Sequence, residues 1–276
     1  MMQFYLQTRP NRERVLHYYT SLRESGVQPS AHTYKLLLDA YHTLPPIDLT
    51  QMERTFAELV ADNTLKVQGT HWASLITAYG ISAGDVNKAL EVFDLIPTHP
   101  GNKGGKPLEE PVVWEAILNV LATKGSIQQM EDMRARMMES GAKPTAYVYN
   151  VLISGYARHG QMTTSREVFE SMSDTHTGMS APNNHPSSHR SIDSNVYREP
   201  STYEVMIRAE LSNKNPEKAE EVLRRMEERG YPAAVFFKAR SLLDGAGQGG
   251  GGGMGGYYPV PVLGLEQAQG QTFAQG

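Results

Sequence analysis

The sequence predicts an all-α protein, an α-solenoid of about five to six helix-turn-helix hairpins. The first observation is a recurring segment, in which an aromatic residue is followed three and four positions later by aliphatic residues and usually, at the seventh position, by a tyrosine. The second is the period, because the opening aromatics Trp114 and Tyr149 lie 35 residues apart. A unit that recurs at such a distance indicates a stacked array. The other opening aromatics are Tyr34 and Trp72, with weaker copies at Tyr203 and Phe237.

Each recurring segment predicts the first helix of a hairpin. Residues at positions i, i+3, i+4 and i+7 share one helix face, and in the clearest copy these are Tyr149, Leu152, Ile153 and Tyr156. We interpret the aromatics as core residues and not as a ladder on which nucleobases stack, because this spacing is what a buried face requires.

A second helix is predicted after each first helix, and its ends are marked by capping signals. Thr50 with Glu53 and Ser126 with Gln129 have the spacing of a capping box, in which both side chains satisfy free amides of the first helical turn. Glycines that precede prolines by three or two residues predict the helix ends. These glycines are Gly26, Gly141 and Gly230.

The solenoid is predicted to span residues 1–243, with two insertions and a tail outside the repeat pattern. Residues 97–111 are rich in proline and glycine, and residues 173–200 are rich in serine, histidine, asparagine and proline. We expect both insertions to be disordered, because neither has enough apolar surface to bury. Residues 244–276 contain an uninterrupted glycine run and several glutamines, which predict a disordered tail.

Several segments resemble the pentatricopeptide repeat, in its fungal mitochondrial form. The segment 149–160, Tyr-Asn-Val-Leu-Ile-Ser-Gly-Tyr-Ala-Arg-His-Gly, is similar to the first half of that repeat, and 168–172 is similar to its second helix. The turns 26–30 and 141–145, with glycine, two variable residues and proline, resemble the family's inter-repeat turn. A tetratricopeptide array is the nearest alternative. The position of this turn, directly before a Tyr-Asn helix start, favours the pentatricopeptide interpretation.

The resemblance implies an α-solenoid that binds single-stranded RNA, usually in mitochondria or plastids. Repeat proteins of this kind read about one base per repeat through two or three side chains. In the family, the main base-reading residues are the one after the opening aromatic and the last residue of the repeat. The candidates in this chain are Lys35, Gln68, Asn150, Thr145 and Lys238.

The candidate positions depart from the family pattern in most repeats. Only Asn150 has the residue type that base-reading repeats usually carry after the aromatic. Ala73 has no polar side chain, and Glu115 and Glu204 place carboxylates where a polyanion would pass. We therefore expect no simple sequence-specific RNA code.

The amino-acid composition excludes several classes of functional site. The chain has 26 basic and 30 acidic side chains, a formal net charge of −4 and no cysteine. Disulfides and thiolate metal sites are excluded, and the sequence has no phosphate-binding loop with a lysine and no catalytic motif. We expect no enzymatic activity, no cofactor and no metal site. No stretch is apolar enough to span a membrane, and no DNA binding is expected.

The leading hypothesis is a non-catalytic organellar RNA-binding protein that acts in mitochondrial RNA processing, stability or translation, or in maturation of small-subunit ribosomal RNA. No targeting segment is recognisable in the sequence. The expectation of a mitochondrial location therefore rests on the family resemblance alone. The alternative is a protein–protein scaffold, such as a component associated with the mitochondrial ribosome, with little RNA contact. The acidic net charge and the poor match at the base-reading positions favour this alternative.

Overall fold

A computed structural model of the chain describes residues 1–178 and 195–247, which fold into two layers of α-helices. A π-helical turn, Ala78–Ser82, continues the fifth helix, and three short 3-10 turns lie between the sixth and seventh helices. In chain order, the helices are α1 (Met2–Gln7), α2 (Arg12–Glu24), α3 (Ala31–Thr43), α4 (Leu49–Ala61), α5 (Gly69–Thr77), α6 (Val86–Leu95), α7 (Pro111–Lys124), α8 (Ile127–Glu139), α9 (Ala146–Arg158), α10 (Met162–Ser171), α11 (Pro200–Ser212), α12 (Pro216–Glu228) and α13 (Ala233–Gly247).

The helices pair into hairpins that stack side by side. Each of α3, α5, α7, α9 and α11 packs against the helix that follows it, and the connections are short, so the two helices of a hairpin are antiparallel. These first helices, together with α13, also contact one another in sequence and form one continuous row. The second helices, α4 to α12, form the other layer. Helices α1 and α2 make a sixth hairpin with a short first helix, so the predicted α-solenoid is confirmed.

Most of the predicted helix ends are found in the structure. Gly26, Gly141 and Gly230 have φ values of 77°, 76° and 69°, in the left-handed region that glycine adopts without steric cost. The capping box of Ser126 and Gln129 is present at the start of α8. The prediction for α4 was wrong, because its N-cap is Asp48, whose carboxylate accepts a hydrogen bond from the Gln51 amide at 3.0 Å.

An edge-to-face aromatic contact recurs at the junctions between hairpins. A phenylalanine of a second helix packs against the opening aromatic of the next hairpin, which is buried. Such pairs contribute about 0.5–1.5 kcal/mol beyond the burial of their surface. The aromatic signature therefore reports the contact between repeats as well as the helix. The ring centroids are 5.0 Å apart for Phe56 and Trp72, 5.1 Å for Phe93 and Trp114, and 5.6 Å for Phe169 and Tyr203.

A second pair of positions recurs at the four junctions from α4–α5 to α10–α11, and its chemistry changes along the array. It joins the residue seven positions after the opening aromatic to the residue three positions before the phenylalanine, or before Arg134, which takes the place of the phenylalanine in α8. Where the first is tyrosine, the second is glutamate, and the tyrosine hydroxyl donates to the carboxylate. These pairs are Tyr79 with Glu53 and Tyr156 with Glu131.

The other two junctions keep the position and replace both partners. Arg166 donates two hydrogen bonds to Glu210, at 2.6 and 2.8 Å, and the Glu210 side chain is only 1% exposed. At the remaining junction both positions are apolar, with Leu90 and Leu121 in the core. Each of these four junctions therefore has partners of matching chemistry, and stacking a polar position on an apolar one would bury an unpaired polar group.

The weak copy at Phe237 does not follow the predicted register. Phe237 is 65% exposed, whereas Phe236 is partly buried against the core, and Ala239, three residues after Phe236, is fully buried. The expectation that Phe237 opens a buried face is therefore wrong by one residue. The physical reason is that Ala239 is small enough to allow close approach to α11, and its position fixes which side of α13 faces the core.

The expectation that residues 97–111 are disordered is also wrong. The side chain of Asn102 is 6% exposed; its amide oxygen accepts from Trp72 Nε1 at 3.0 Å, and its amide nitrogen donates to the Ile96 carbonyl at 2.6 Å. Lys103 Nζ donates to the backbone carbonyls of Asp62 and Leu65. Polar side chains thus hold a segment that has little apolar surface of its own.

The second insertion is described only at its ends. Ser173 and Tyr197 form an isolated parallel bridge, and the buried guanidinium of Arg198 pairs with Asp174 at 2.8 Å and with Glu170 at 3.2 Å. Residues 179–194 lie outside the described residues. The predicted tail begins inside α13, which continues to Gly247, and residues 248–276 also lie outside the described part. Among the described helices, none has the length and apolarity needed to cross a membrane.

The contribution of the Arg166–Glu210 pair to stability can be tested by replacing it with the leucines found at the α6–α7 junction. Arg166→Leu leaves the buried Glu210 carboxylate without a partner, and we expect the free energy of unfolding to fall by about 3 kcal/mol. Adding Glu210→Leu reproduces the leucine pair of the α6–α7 junction and should restore most of the loss. Urea unfolding followed by circular dichroism measures both. Equal losses in the single and double variants would contradict a matched pair.

Candidate nucleic-acid interface

The row of first helices carries a partly exposed polar surface. On each helix it includes the residue after the opening aromatic and the residue four positions later, because these positions share a helix face. We call this surface the first-helix face. In α3 to α11 these positions hold Lys35, Asp39, Ala73, Thr77, Glu115, Asn119, Asn150, Ser154, Glu204 and Arg208, of which Ala73 and Asn150 are buried and the others partly or fully exposed.

Lys35 is on this face, and its ammonium group pairs with Asp39 on the same helix. Asp39 also accepts a hydrogen bond from Ser74 Oγ of α5 at 2.6 Å, and His42 Nε2 lies 3.6 Å from its carboxylate. Burial favours the neutral acid, but the interaction with His42 and the charge of Lys35 outweigh it and lower the pKa of Asp39 to about 2. Asp39 therefore joins two adjacent first helices and also holds Lys35.

Thr145 and Glu115 contact each other across one repeat. Thr145 Oγ1 donates to Glu115 Oε1 at 2.6 Å and accepts from the Val148 amide at 3.2 Å, as the N-cap of α9. Burial raises the pKa of Glu115, and the hydrogen bond from Thr145 opposes this shift only in part. The predicted candidate Thr145 thus satisfies a carboxylate that would otherwise face an incoming phosphate.

Lys238 and Glu204 form a similar pair at the end of the row. Lys238 Nζ of α13 lies 3.0 Å from Glu204 Oε2 of α11, and the lysine side chain is 69% exposed while the glutamate is 14% exposed. The pair neutralises the carboxylate that the sequence places after the aromatic Tyr203.

Asn150 uses only one of the two hydrogen-bonding groups of its amide. Its side chain is 3% exposed, and its Nδ2 donates to Ser201 Oγ of α11 at 3.1 Å. Its Oδ1 is buried and has no hydrogen-bond partner within the described residues. A buried acceptor without a partner carries a desolvation cost of about 1–3 kcal/mol, so a donor brought to this position would be bound favourably.

Gln68 is the N-cap of α5, the position that Thr145 holds in α9. Its backbone amide donates to His71 Nδ1 at 2.9 Å, and its side chain is exposed. His71 is buried and its Nε2 lies 2.8 Å from the Ala31 carbonyl, which joins α5 to the start of α3. Burial lowers the pKa of His71, which favours the neutral ring that bridges these two backbone groups.

A row of basic residues along one edge of the array was missed in the sequence. Lys124, Arg158, His159 and Lys214 are exposed at the ends of α7, α9 and α11, next to the turns inside three consecutive hairpins. In the described ranges, none of the ion pairs involves these residues. The sequence feature that could have revealed them is that each lies just before the predicted turn of its hairpin. We call these four residues the basic edge.

Other basic residues that cluster in the sequence are engaged in ion pairs between helices. Arg136 pairs with Asp94 at 2.8 Å, and Arg225 pairs with Glu170 at 2.5 Å. These pairs join neighbouring second helices on the opposite layer. Within the described residues, no group of three histidine, aspartate or glutamate side chains is placed to hold a metal ion.

The acid titration of Asp39 gives a test of its bridging role. Because its folded pKa of about 2 lies below the ordinary 3.8, its charge stabilises the fold above about pH 4, and this contribution is lost as the pH falls towards 2. The difference in unfolding free energy between the wild type and Asp39→Asn should therefore shrink by about 2 kcal/mol between about pH 5 and pH 2. Urea unfolding at a series of pH values measures it, and a pH-independent difference would contradict the role.

Comparison with known proteins agrees with the architecture. The PPR repeat family model matches residues 147–174 and 201–231, which correspond to the hairpins α9–α10 and α11–α12. Pentatricopeptide repeat-containing protein 5, mitochondrial, of Schizosaccharomyces pombe is 29% identical over 245 residues, 88% of this chain and 18% of that protein. Pentatricopeptide repeat-containing protein At4g21065 of Arabidopsis thaliana is 27% identical over 152 residues, 54% of this chain and 23% of that protein.

A solved structure has the same fold. The crystal structure of the pentatricopeptide repeat protein PPR10 in complex with an 18-nt psaJ RNA element superposes with a TM-score of 0.57 and 15% identity, over 82% of this chain and 28% of that one. The chain therefore spans less than a third of the length of each of these relatives. By its repeats, its fold and these matches, the chain is similar to pentatricopeptide repeat proteins, and its hairpins α9–α10 and α11–α12 match the repeat model itself.

Proposed function

We propose that the chain binds single-stranded RNA along the first-helix face, without catalysis. The observation that carries the proposal is the unbroken row of first helices, on which polar groups recur at each repeat and one buried acceptor, Asn150 Oδ1, has no partner in the described structure. The presence of RNA in the PPR10 structure supports it, since that protein has the same fold.

Base contact is assigned to the predicted candidates in different roles. Asn150 presents an amide, whose oxygen accepts from a base donor while its nitrogen stays bonded to Ser201. Lys35 and Lys238 are assigned to phosphates, which each reaches by exchanging its present carboxylate partner. Thr145 keeps Glu115 satisfied, and Gln68 offers an exposed amide at the start of α5. With these roles, we expect the chain to have a weak preference for RNA sequence, with one base, the one that contacts Asn150, selected more strictly.

The phosphate backbone is assigned to the basic edge. Affinity for nucleic acid comes largely from lysine and arginine groups that neutralise phosphates and release counterions. Because the net charge is −4, binding to RNA depends on where the basic side chains lie and not on their total number. The basic edge adjoins α7, α9 and α11, the helices that flank Asn150, so one strand would contact both features.

The cellular role that we propose is in mitochondrial RNA processing, stability or translation, or in maturation of small-subunit ribosomal RNA. The mitochondrial name of the S. pombe relative supports this location. In this proposal residues 1–243 form the binding module and residues 244–276 are an appended tail. Single-stranded RNA is the partner, with no DNA, membrane, cofactor or metal involved.

A protein–protein scaffold, with mitochondrial ribosomal proteins as partners, is the second candidate. The observation that favours it is the internal pairing of the face, where Lys35, Glu115 and Lys238 are each bonded to another residue of the chain. Affinity capture with and without nuclease separates the two candidates, since the partners of a scaffold are retained after the RNA is digested.

RNA binding is tested with charge reversals on the basic edge. The triple variant Lys124→Glu, Arg158→Glu and Lys214→Glu should weaken binding to a randomised single-stranded RNA by about tenfold or more, with a shallower dependence on salt concentration. Fluorescence anisotropy over a salt series measures both quantities. The matched control is Arg54→Glu, Lys218→Glu and Arg224→Glu, which changes the net charge by the same amount at exposed residues of the second helices α4 and α12. Equal weakening in both variants would contradict a localised phosphate path.

The role of Asn150 is tested by base selection. Asn150→Ala should change the base preferred at one position of a selected RNA pool, because it removes the free acceptor. The control is Asn87→Ala, on the exposed surface of a second helix, which should leave the selected bases unchanged. If no RNA binding is detected at low salt for the wild type, the proposed function fails.

A further inference from the structure

Two side chains have buried polar atoms without a hydrogen-bond partner among residues 1–178 and 195–247. One is Asn150, and the other is Arg229, the C-cap residue of α12, whose Nε and Nη2 are the atoms concerned. Unpaired atoms of this kind are rare in native proteins, because a buried charged group without an acceptor is strongly unfavourable. Arg229 therefore indicates an acceptor that these residues do not supply.

The unpaired atoms form one edge of the guanidinium group. The N–H groups of Nε and Nη2 lie side by side and match two oxygens of a carboxylate or a phosphate. The chain contains an occupied example of this geometry, because Arg166 donates through the same two atoms to both oxygens of Glu210, at 2.6 and 2.8 Å. Arg229 presents the same edge, and no acceptor from the described residues is bonded to it.

The carboxylates in this part of the array are bonded to other arginines. Glu170 accepts hydrogen bonds from Arg225 and Arg198, and Asp174 pairs with Arg198 at 2.8 Å. Burial alone would raise the pKa of Asp174, but its hydrogen bonds and the nearby charges of Arg198 and Arg229 lower it. Three arginines thus share two carboxylates, and both carboxylates are already bonded without Arg229.

Arg229 also lies near the start of α11. Burial raises the pKa of Tyr231, the charge of Arg229 opposes this shift and the charge of Glu199 adds to it, so Tyr231 lies close to both. Glu199 is the N-cap of α11, where its side chain accepts from a backbone amide. Ser201, two residues further on, accepts the hydrogen bond from Asn150 Nδ2 at 3.1 Å. The unpaired atoms of Arg229 and of Asn150 are therefore both near the first turn of α11.

A phosphate group has the chemistry that this position lacks. Two of its oxygens match Nε and Nη2, and its negative charge meets the guanidinium that the two carboxylates leave over. Arg229 as a whole is partly exposed, so a ligand reaches the site from the surface of the array. RNA is the source that the nearness of Asn150 favours, because a base within a strand has a phosphate on either side of it.

We propose that Arg229 binds a phosphate group through Nε and Nη2, and that this phosphate belongs to the RNA strand whose base contacts Asn150. The source of the phosphate rests on the proposed function, whereas the site itself rests on the unpaired edge of Arg229. The site is separate from the basic edge, which lies at the C-terminal ends of the first helices.

The first test distinguishes a ligand site from a structural role, by urea unfolding of the full chain in a chloride buffer. Arg229→Gln should unfold at about the same urea concentration as the wild type or at a higher one, because it removes an unpaired buried charge. Arg198→Gln should unfold at a clearly lower concentration, because Arg198 is 4% exposed and its carboxylate partners lose their donor. An equal loss in the two variants would overturn the proposal, since Arg229 would then be bonded within the fold.

The second test uses inorganic phosphate as the probe. Phosphate that replaces chloride at constant ionic strength should raise the thermal unfolding midpoint of the wild type by about 2 °C or more, because a ligand of the folded chain stabilises it. Arg229→Gln should show a smaller rise than the control Arg224→Gln, which alters an exposed arginine of the same helix. An equal rise in all three proteins would be the general effect of phosphate on apolar burial and would contradict the site.

The third test determines whether the phosphate is that of RNA. Arg229→Gln should bind a randomised single-stranded RNA about three- to tenfold more weakly, with the slope of log affinity against log salt reduced by about one. Arg229→Lys should keep the slope but not the affinity, because lysine retains the charge without the two-atom edge. Methylphosphonate substitution of one phosphate at a time should reveal a position that weakens binding by the wild type but not by Arg229→Gln.

The three tests separate the site from the source of its ligand. Stabilisation by inorganic phosphate with unchanged RNA binding would support the site and overturn RNA as the source. If the wild type binds no RNA, the proposed function fails, and the phosphate test still decides the site. The proposal is overturned if Arg229→Gln alters neither response, an outcome that would leave the edge to a carboxylate of a protein partner.

Discussion

The edge-to-face contact between a second-helix phenylalanine and the opening aromatic of the next hairpin is the interaction on which the architecture depends. A single hairpin cannot bury its own apolar face, so stability comes from the neighbour. Phe56, Phe93 and Phe169 each supply that neighbour's cover. The exception supports the rule, because α8 has Arg134 at the equivalent position, and the aromatic of the following hairpin, Tyr149, is only partly buried.

The polar pair beside this contact adds order to an otherwise repetitive core. Aromatic packing alone would accept any hairpin next to any other. Tyrosine with glutamate at two junctions, leucine with leucine at one and arginine with glutamate at one give three different requirements, so neighbours are matched by chemistry as well as by shape. Polar contacts also join adjacent helices on the first-helix face. Asp39 bonds to Ser74 and Thr145 bonds to Glu115, so these polar atoms are already paired when a ligand approaches.

Periodicity was sufficient to predict the helices, the hairpins and the buried aromatics, because a 3.6-residue pattern and a stacking period are local properties of the sequence. It was not sufficient where one distant contact decides the outcome. Asn102 orders a proline- and glycine-rich segment by bonding to Trp72, and Ala239 sets the register of α13 by its small size. The engagement of Lys35 and Lys238 with carboxylates, and the alignment of Lys124, Arg158 and Lys214, likewise depend on how the hairpins stack.

The segment between α6 and α7 has a mechanical consequence. In a solenoid, each repeat touches only its neighbours, so the whole behaves as a spring that extends or bends a little at every junction. Here the segment after α6 bonds to the segment before α5. Lys103 and Gly101 contact the loop that precedes α5, and Asn102 bonds to Trp72 of α5, so the beginning and the end of the α5–α6 hairpin are held together. Stretching of the array would then be taken up at the junctions on either side of this hairpin, and the α8–α9 and α10–α11 junctions on one side flank the free acceptor of Asn150.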